Sequence, residues 1–179
     1  MRTIPRPGTP TPASTATPAS TATPPTTRPA RHPAAAIMDD PTTAGVLHSA
    51  WSGDPAVVVP SPPGAGKTRL VALLAATLAS RADLRVGIAA QTRDQAVEIA
   101  RRLGALDCPA RLIWPGKHPA PDLSDGTATV VTGRSVRFPN SGGGVLIATT
   151  ARWTYADPNV LAADVLVVDE AWQATYADV

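Results

Sequence analysis

The chain has 179 residues, of which 44% are hydrophobic, and it carries a formal net charge of +2 and a single cysteine, Cys108. No window approaches the roughly 20 apolar residues of a membrane span, the first residues lack a signal-peptide core, and one cysteine cannot form an intrachain disulfide, so we expect a cytoplasmic protein. Four of the 16 basic residues are arginines in residues 1–37, so residues 38–179 contain 12 basic and 14 acidic residues. This part of the chain therefore lacks the strongly basic surface of many nucleic-acid binders.

The first part of the chain has the composition of a disordered tail. Its first 36 residues contain no acidic residue, nine of the 20 prolines and a tandem repeat of the hexapeptide Pro-Ala-Ser-Thr-Ala-Thr. Such a segment buries too little apolar surface to offset the entropy of ordering its backbone. We therefore predict a disordered low-complexity tail over residues 1–37 and a folded domain over residues 38–179.

A glycine-rich loop between two apolar runs is the most specific feature of the chain. Residues 61–68 read Ser-Pro-Pro-Gly-Ala-Gly-Lys-Thr, after the apolar run 56–59 and before the apolar run 70–74. In the order strand, loop and helix, such a loop surrounds phosphates with backbone N–H groups and the positive end of the helix. Its lysine reaches the outer phosphates and its threonine hydroxyl holds Mg²⁺. The predicted nucleotide-binding residues are Pro63, Gly64, Ala65, Gly66, Lys67, Thr68 and Arg69.

A second apolar run ends in two carboxylates. Residues 165–168 are short enough for a buried parallel strand, and Asp169 and Glu170 follow them directly. We predict that Asp169 holds the Mg²⁺ and that Glu170 polarises a water for in-line attack on the terminal phosphate. Taken alone, the two carboxylates also fit a solvated strand end. The loop upstream favours the metal site.

The two motifs together resemble a known family. Residues 169–173, Asp-Glu-Ala-Trp-Gln, resemble the Asp-Glu-Ala-x-Gln signature of superfamily 1 helicases and related nucleic-acid-stimulated ATPases. Residues 61–68 look like their Gly-x-Pro-Gly-x-Gly-Lys-Thr loop, with Ser61 in place of the first glycine. The resemblance covers about residues 44–179, and its motifs are more specific for P-loop ATPases than for helicases among them.

The resemblance implies a fold, a set of ligands and roles for individual residues. The fold would be α/β, a three-layer P-loop NTPase domain with a mostly parallel sheet, similar to the first RecA-like motor domain, an AAA-type ATP-binding domain. The ligands would be ATP and Mg²⁺. By the same resemblance Lys67 and Thr68 bind phosphate and Mg²⁺, and Asp169 holds the metal. Glu170 would be the catalytic base, and Gln173 would contribute to coupling at the γ-phosphate.

A strand and helix follow the loop in a position similar to the helicase segment called Ia. Residues 84–90 predict the strand and residues 94–103 the helix, with Thr92 and Gln95 spaced as a capping box. In the family this turn touches single-stranded nucleic acid, so Thr92 and Arg93 are candidates for holding a backbone phosphate of DNA or RNA. An ordinary capped helix that packs on the sheet is the alternative.

A later strand, predicted over residues 144–150, ends in two more candidates for contact with single-stranded DNA or RNA, Thr149 and Thr150. It resembles the helicase segment just upstream of the Asp-Glu-Ala-x-Gln motif. Trp153 follows and either stacks on a base or packs on the domain. Shorter strands are predicted over residues 112–114 and 128–131, and most of residues 115–140 is predicted to be irregular because glycine and proline are frequent there.

The family sheet contains one further strand, later in sequence, between the strand of the loop and the strand that ends in the carboxylates. Only nine residues follow Glu170, whereas a parallel crossover needs about a dozen or more. We therefore expect the amino-terminal piece of a longer ATPase that binds MgATP with little hydrolysis of its own. Two alternatives stay open: a nucleotide-switched regulatory ATPase that does not act on nucleic acid, and an inactive gene fragment.

Overall fold

Over the residues that the structure describes, the fold is α/β, as predicted, with one five-stranded sheet in which every strand pairs in parallel with its neighbours. A computed structural model describes residues 40–133, 136–159 and 161–173; the predicted tail, residues 1–37, lies outside them. The helices are α1 (Pro41–Trp51), α2 (Lys67–Arg81), α3 (Arg93–Gly104) and α4 (Thr150–Thr154). The strands are β1 (Arg85–Ala90), β2 (Ala110–Trp114), β3 (Thr129–Thr132), β4 (Gly144–Thr149) and β5 (Val165–Val168), and their order in the sheet is β3-β2-β4-β1-β5.

Capping residues that the sequence places before α1 and α3 mark the starts of these two helices. Asp40 caps α1, because its carboxylate accepts hydrogen bonds from the backbone N–H groups of Thr42 and Thr43. The predicted capping box of α3 is confirmed: Thr92 Oγ1 accepts from the Gln95 N–H at 3.2 Å, and Gln95 Oε1 accepts from the Thr92 N–H at 2.9 Å. These caps fix the direction in which each helix leaves its loop. None of the helices in the described ranges is long and apolar enough to cross a membrane.

The sheet buries apolar side chains on both faces. On one face, α2 and α3 cover residues such as Ile88 and Ile147 in the larger core cluster. On the other face, Leu146 belongs to a smaller cluster that includes Phe138 and Leu161. Neighbouring residues of β4 thus point to opposite clusters, as the two-residue period of a strand requires. Cys108 lies in the larger cluster, where burial raises the pKa of its thiol to about 11, so it packs as a small buried hydrophobe.

An ion pair joins the starts of β1 and β5. Asp164 Oδ2 accepts hydrogen bonds from the backbone N–H of Arg85 at 2.8 Å and from its Nε at 3.0 Å, and a second guanidinium nitrogen lies 2.6 Å from Oδ1. The hydrogen bonds from the Arg85 guanidinium, and then the one from its backbone N–H, hold the pKa of Asp164 below its usual value. The two-point contact holds the residue before β5 against the first residue of β1.

Two strand predictions need correction. Residues 56–59 do not form the strand expected before the glycine-rich loop, and Val58 is 87% exposed. Their apolar side chains have the composition of a strand, but no neighbour in the described part of the sheet takes up their backbone hydrogen bonds. Residues 165–168 do form a parallel strand, but it is not buried: β5 is an edge strand in the described sheet, and Leu166 is 54% exposed.

The topology places all strand ends of one kind on one edge. Because the five strands run parallel, the residues that follow them lie together along the carboxyl edge of the sheet. Arg93, Gly133 and Asp169 stand after three of these strands. The predicted site residues Arg93, Thr149, Asp169 and Glu170 therefore lie along this edge.

Candidate functional site

The glycine-rich loop leads directly into α2. Gly66 is the residue before the first helical turn, and its φ of +85° lies in the left-handed region that glycine adopts at little cost. Gly64 has a φ of +78°, and a methyl group added at either glycine meets nothing within 4 Å, so the space over the loop is open. No side chain caps α2, and its first turn contains no acidic residue. The N–H groups at the start of this 15-residue helix are thus open to an anion.

Lys67, the first residue of α2, contacts both predicted motifs. Its Nζ lies 3.4 Å from Glu170 Oε1, and it donates hydrogen bonds to the backbone oxygens of Ser61 at 3.4 Å and Pro62 at 3.5 Å. The structure therefore brings the glycine-rich loop and the acidic end of β5 together, although they are far apart in sequence. An ammonium has three N–H donors, and the three protein oxygens match that number.

Asp169 lies in the floor of this site. It is only 4% exposed, and its backbone N–H donates to the Ala89 oxygen at 2.9 Å, which continues the pairing of β5 with β1. Burial, and then the neighbouring charge of Glu170, raise the pKa of the Asp169 carboxyl above its usual value. A nearby cation stabilises the charged form of such a buried carboxylate. The charge of Lys67 acts in this direction and partly offsets the rise in the pKa of Asp169.

Glu170 is held by contacts on both of its carboxylate oxygens. Lys67 contacts Oε1, and the indole Nε1 of Trp172 donates a hydrogen bond to Oε2. The hydrogen bond from Trp172, followed by the contact with Lys67, holds the pKa of Glu170 below its usual value. The backbone of Glu170 has a φ of +54°, an uncommon conformation for a residue with a side chain. Such conformations cost about 1–3 kcal/mol and cluster at functional sites.

Two further predicted site residues, Thr68 and Gln173, flank this group. Thr68 follows Lys67 in the first turn of α2 and is half-buried. Gln173 ends a short 3₁₀ helix, Ala171–Gln173, and is exposed, while its backbone N–H donates to the Glu170 oxygen at 2.9 Å. In the described residues the side chain of Gln173 is thus not a buried part of the site.

The residues present fit a magnesium ion with a polyphosphate better than a metal ion alone. In the described ranges no group of three His, Cys, Asp or Glu side chains is placed to hold a metal. Mg²⁺ in proteins is commonly held by one or two carboxylates together with substrate phosphates and waters. Asp169, the Thr68 hydroxyl and the phosphates themselves would supply such a ligand set.

A second group of predicted residues surrounds a cavity at the other end of the carboxyl edge. The cavity has a volume of about 230 Å³ and is lined by residues that include Arg93, Trp114, Thr149 and Arg152. Partial burial, and then the charges of Arg93 and Lys117, lower the pKa of His118, so a further cation lies near Arg93. An anion that carries an apolar part matches this lining of cations and apolar side chains.

Not every candidate for nucleic-acid contact is available to a ligand. Thr92 is exposed, but its hydroxyl is engaged in the capping box. Thr150 is buried, and its hydroxyl donates to the Ala90 oxygen at 3.3 Å. Arg93 and Thr149 remain as the two predicted residues that line the cavity.

Trp153 packs on the sheet. Its Nε1 donates a 2.8 Å hydrogen bond to the Ile88 oxygen, and its ring lies so close to Gly87 that a methyl group added there would be 3.0 Å from a ring carbon. Of the two roles predicted for this residue, the structure shows the packing one.

Two features of the site could not be predicted from the sequence. The hydrogen bond from Trp172 to Glu170 depends on the left-handed backbone conformation of Glu170, which no sequence pattern predicts. The place of Arg152 at the cavity follows from the short helix α4, which no motif in the sequence marks.

No protein-family model matches the chain, and no curated protein or solved structure is significantly similar to it. The fold defines an α/β protein with an all-parallel sheet, and its carboxyl edge carries a lysine, two adjacent carboxylates and an open helix start.

Proposed function

We propose that the chain is a MgATP-binding P-loop domain of a nucleic-acid-dependent ATPase of the helicase type. The observation that carries the proposal is the 3.4 Å approach of Lys67 Nζ to Glu170 Oε1, at an open glycine-rich helix start. A lysine, a helix start and a strand-end carboxylate pair converge there, as phosphoryl-transfer chemistry requires.

In this proposal each residue has one task. The backbone N–H groups around Gly64 to Thr68 and the ammonium of Lys67 bind the phosphates. Thr68 and Asp169 would hold Mg²⁺, which neutralises negative charge on the phosphate oxygens when bound. Glu170 orients and polarises the attacking water, and Gln173 contributes to coupling at the γ-phosphate. ATP rather than GTP rests on the family resemblance alone.

The nucleic-acid part of the proposal rests on the cavity lined by Arg93 and Arg152. A single strand that crosses the carboxyl edge would place a phosphate near Arg93, with Thr149 beside it. For a single strand, each phosphate that a cation neutralises steepens the fall of the logarithm of the binding constant with the logarithm of salt concentration by about 0.7. The contact is therefore measurable through its salt dependence.

Nucleotide binding tests the first half of the proposal. Lys67→Ala is expected to weaken MgATP binding to the full 179-residue chain at least about tenfold, because charge-assisted hydrogen bonds to phosphate are lost. Arg81→Ala is the matched control: it removes one positive charge from the same helix, in its last turn, and leaves the affinity unchanged. Equal titration curves for wild type and Lys67→Ala contradict the proposal.

Nucleic-acid binding tests the second half. Arg93→Ala is expected to weaken binding of single-stranded DNA or RNA and to lower the salt slope by about 0.7. Arg101→Ala, on the same helix, is the control. Glu170→Gln should keep MgATP binding and stop the turnover of the wild-type chain, and single strands should stimulate the wild-type ATPase. An ATPase rate indifferent to single strands would sink the helicase assignment.

One observation favours a second candidate, a regulatory ATPase that uses nucleotide as a switch. Four of the 16 basic residues lie in residues 1–37, which leaves 12 basic and 14 acidic residues in residues 38–179. The predicted folded domain therefore has no excess of positive charge to attract nucleic acid. Lys67-dependent MgATP binding, together with no binding of single strands at low salt, would favour this candidate.

A further inference from the structure

The ammonium of Lys67 has three protein oxygens as neighbours in the described structure. Its three acceptors are the backbone oxygens of Ser61 and Pro62 and the carboxylate of Glu170, all within 3.5 Å. A phosphate that approaches Lys67 therefore competes with these oxygens for the ammonium. The carboxylate is the one acceptor that carries a charge, and it resembles a phosphate oxygen more closely than a peptide oxygen does.

Glu170 is in turn held in that position by a neighbour. Trp172 donates to the carboxylate oxygen that Lys67 does not contact, so the carboxylate is bridged between the ammonium and the indole. The side chains of Lys67 and Glu170 are 25% and 20% exposed, which leaves the pair partly shielded from water. Trp172 is 79% exposed, and among the described residues its indole N–H donates to the Glu170 carboxylate.

We propose that these three side chains form a latch, in which Glu170 occupies Lys67 until a polyphosphate displaces it and Trp172 is the positioning residue for Glu170. The latch rests on the proposed function, since it regulates entry to the same phosphate site. Opening it leaves Lys67 free to bind the outer phosphates and leaves Glu170 held by Trp172 alone. The carboxylate would then be directed away from the ammonium and toward a water.

The latch predicts that removing either of its anchors makes the phosphate site easier to fill. Glu170→Gln is expected to tighten binding of inorganic tripolyphosphate, without Mg²⁺, about fivefold, because a partly exposed ion pair no longer competes. Trp172→Phe keeps an aromatic ring and every charge but removes the N–H donor, and it should tighten binding about two- to fivefold. The second variant separates release of the latch from simple relief of repulsion between carboxylate and phosphate.

The chain offers a matched control for each variant. Glu98 is its other glutamate and also contacts a cation, Arg102, at 2.7 Å, so Glu98→Gln makes the same change away from the site. Trp51 is a second exposed tryptophan, 57% exposed, on α1. Glu98→Gln and Trp51→Phe should leave tripolyphosphate affinity unchanged. In a Glu170→Gln background, Trp172→Phe should have no further effect, because the carboxylate that it positions is already gone.

Tryptophan fluorescence of the full chain gives an independent readout. Saturating tripolyphosphate should change the emission of wild type and of Trp51→Phe, but not that of Trp172→Phe, since opening the latch alters the surroundings of that indole. Lys67-dependent binding that Trp172→Phe leaves unchanged, or changes equally in the Glu170→Gln background, overturns the latch while the phosphate site stands. Binding that does not depend on Lys67 in any variant overturns the proposed function and the latch together.

Discussion

Trp153 offers a prediction whose size follows from its contacts. Its indole donates a 2.8 Å hydrogen bond to the Ile88 oxygen, and its half-buried ring belongs to the smaller core cluster beside Gly87. Trp153→Phe removes the hydrogen bond and should lower the free energy of unfolding by about 1 kcal/mol. Trp153→Ala also removes the ring; a fully buried aromatic would cost about 3–5 kcal/mol, and half burial reduces the expected loss to about 2–3 kcal/mol.

Urea unfolding followed by far-ultraviolet circular dichroism measures these losses without relying on tryptophan emission. Trp51→Phe is the control and should stay within about 0.5 kcal/mol of wild type, because that residue is exposed. If Trp153 instead served to stack a base, its removal would cost about 1–3 kcal/mol in single-strand binding and little in stability. Unfolding curves of Trp153→Ala that superimpose on those of wild type would refute the packing role.

Two further predictions concern stability. Gly143→Ala places a methyl group 2.0 Å from the backbone oxygen of Ala79, so urea unfolding should show a loss of about 3 kcal/mol, whereas Gly116→Ala, which meets open space, should be within about 0.5 kcal/mol of wild type. Asp164→Asn should lower stability by about 0.5–1 kcal/mol at pH 7. The bonds from Arg85 depress the folded pKa of Asp164, so this stabilisation is present above the unfolded pKa of about 3.9 and is lost as the pH falls through the folded pKa. A difference between wild type and Asp164→Asn that persists unchanged well below pH 4, in pH-dependent urea unfolding, would contradict the assignment.

Features that depend on nearby residues could be predicted from the sequence. The capping box of α3 needs only Thr92 and Gln95, three positions apart, and the structure has it. The helix after the glycine-rich loop follows from its run of leucine and alanine, and it begins at Lys67. The strands that became β1, β2, β3 and β4 were each predicted within a few residues, because β-branched and apolar residues bounded by glycine and proline mark them.

Features that depend on pairing between distant segments could not be predicted. The run at residues 56–59 has the composition of a strand, but a strand also needs a neighbour, and the described sheet supplies none. The edge position of β5 leaves Leu166 exposed for the same reason. The contacts of Glu170 with Lys67 and Trp172 depend on one left-handed backbone angle and on how two distant motifs meet. The meeting of the motifs was inferred from their chemistry, whereas the role of Trp172 carried no sequence signal.

The effect of Mg²⁺ on ATP affinity tests most directly whether the loop and the end of β5 form one phosphate site. ATP binding to the full chain is measured with and without Mg²⁺, for wild type and for Asp169→Asn, which keeps the shape of the buried side chain and removes its charge. We predict that Mg²⁺ tightens binding to wild type and that Asp169→Asn loses most of this gain but keeps the Lys67-dependent binding of ATP alone. An equal gain from Mg²⁺ in both proteins would contradict a metal shared between the loop and Asp169.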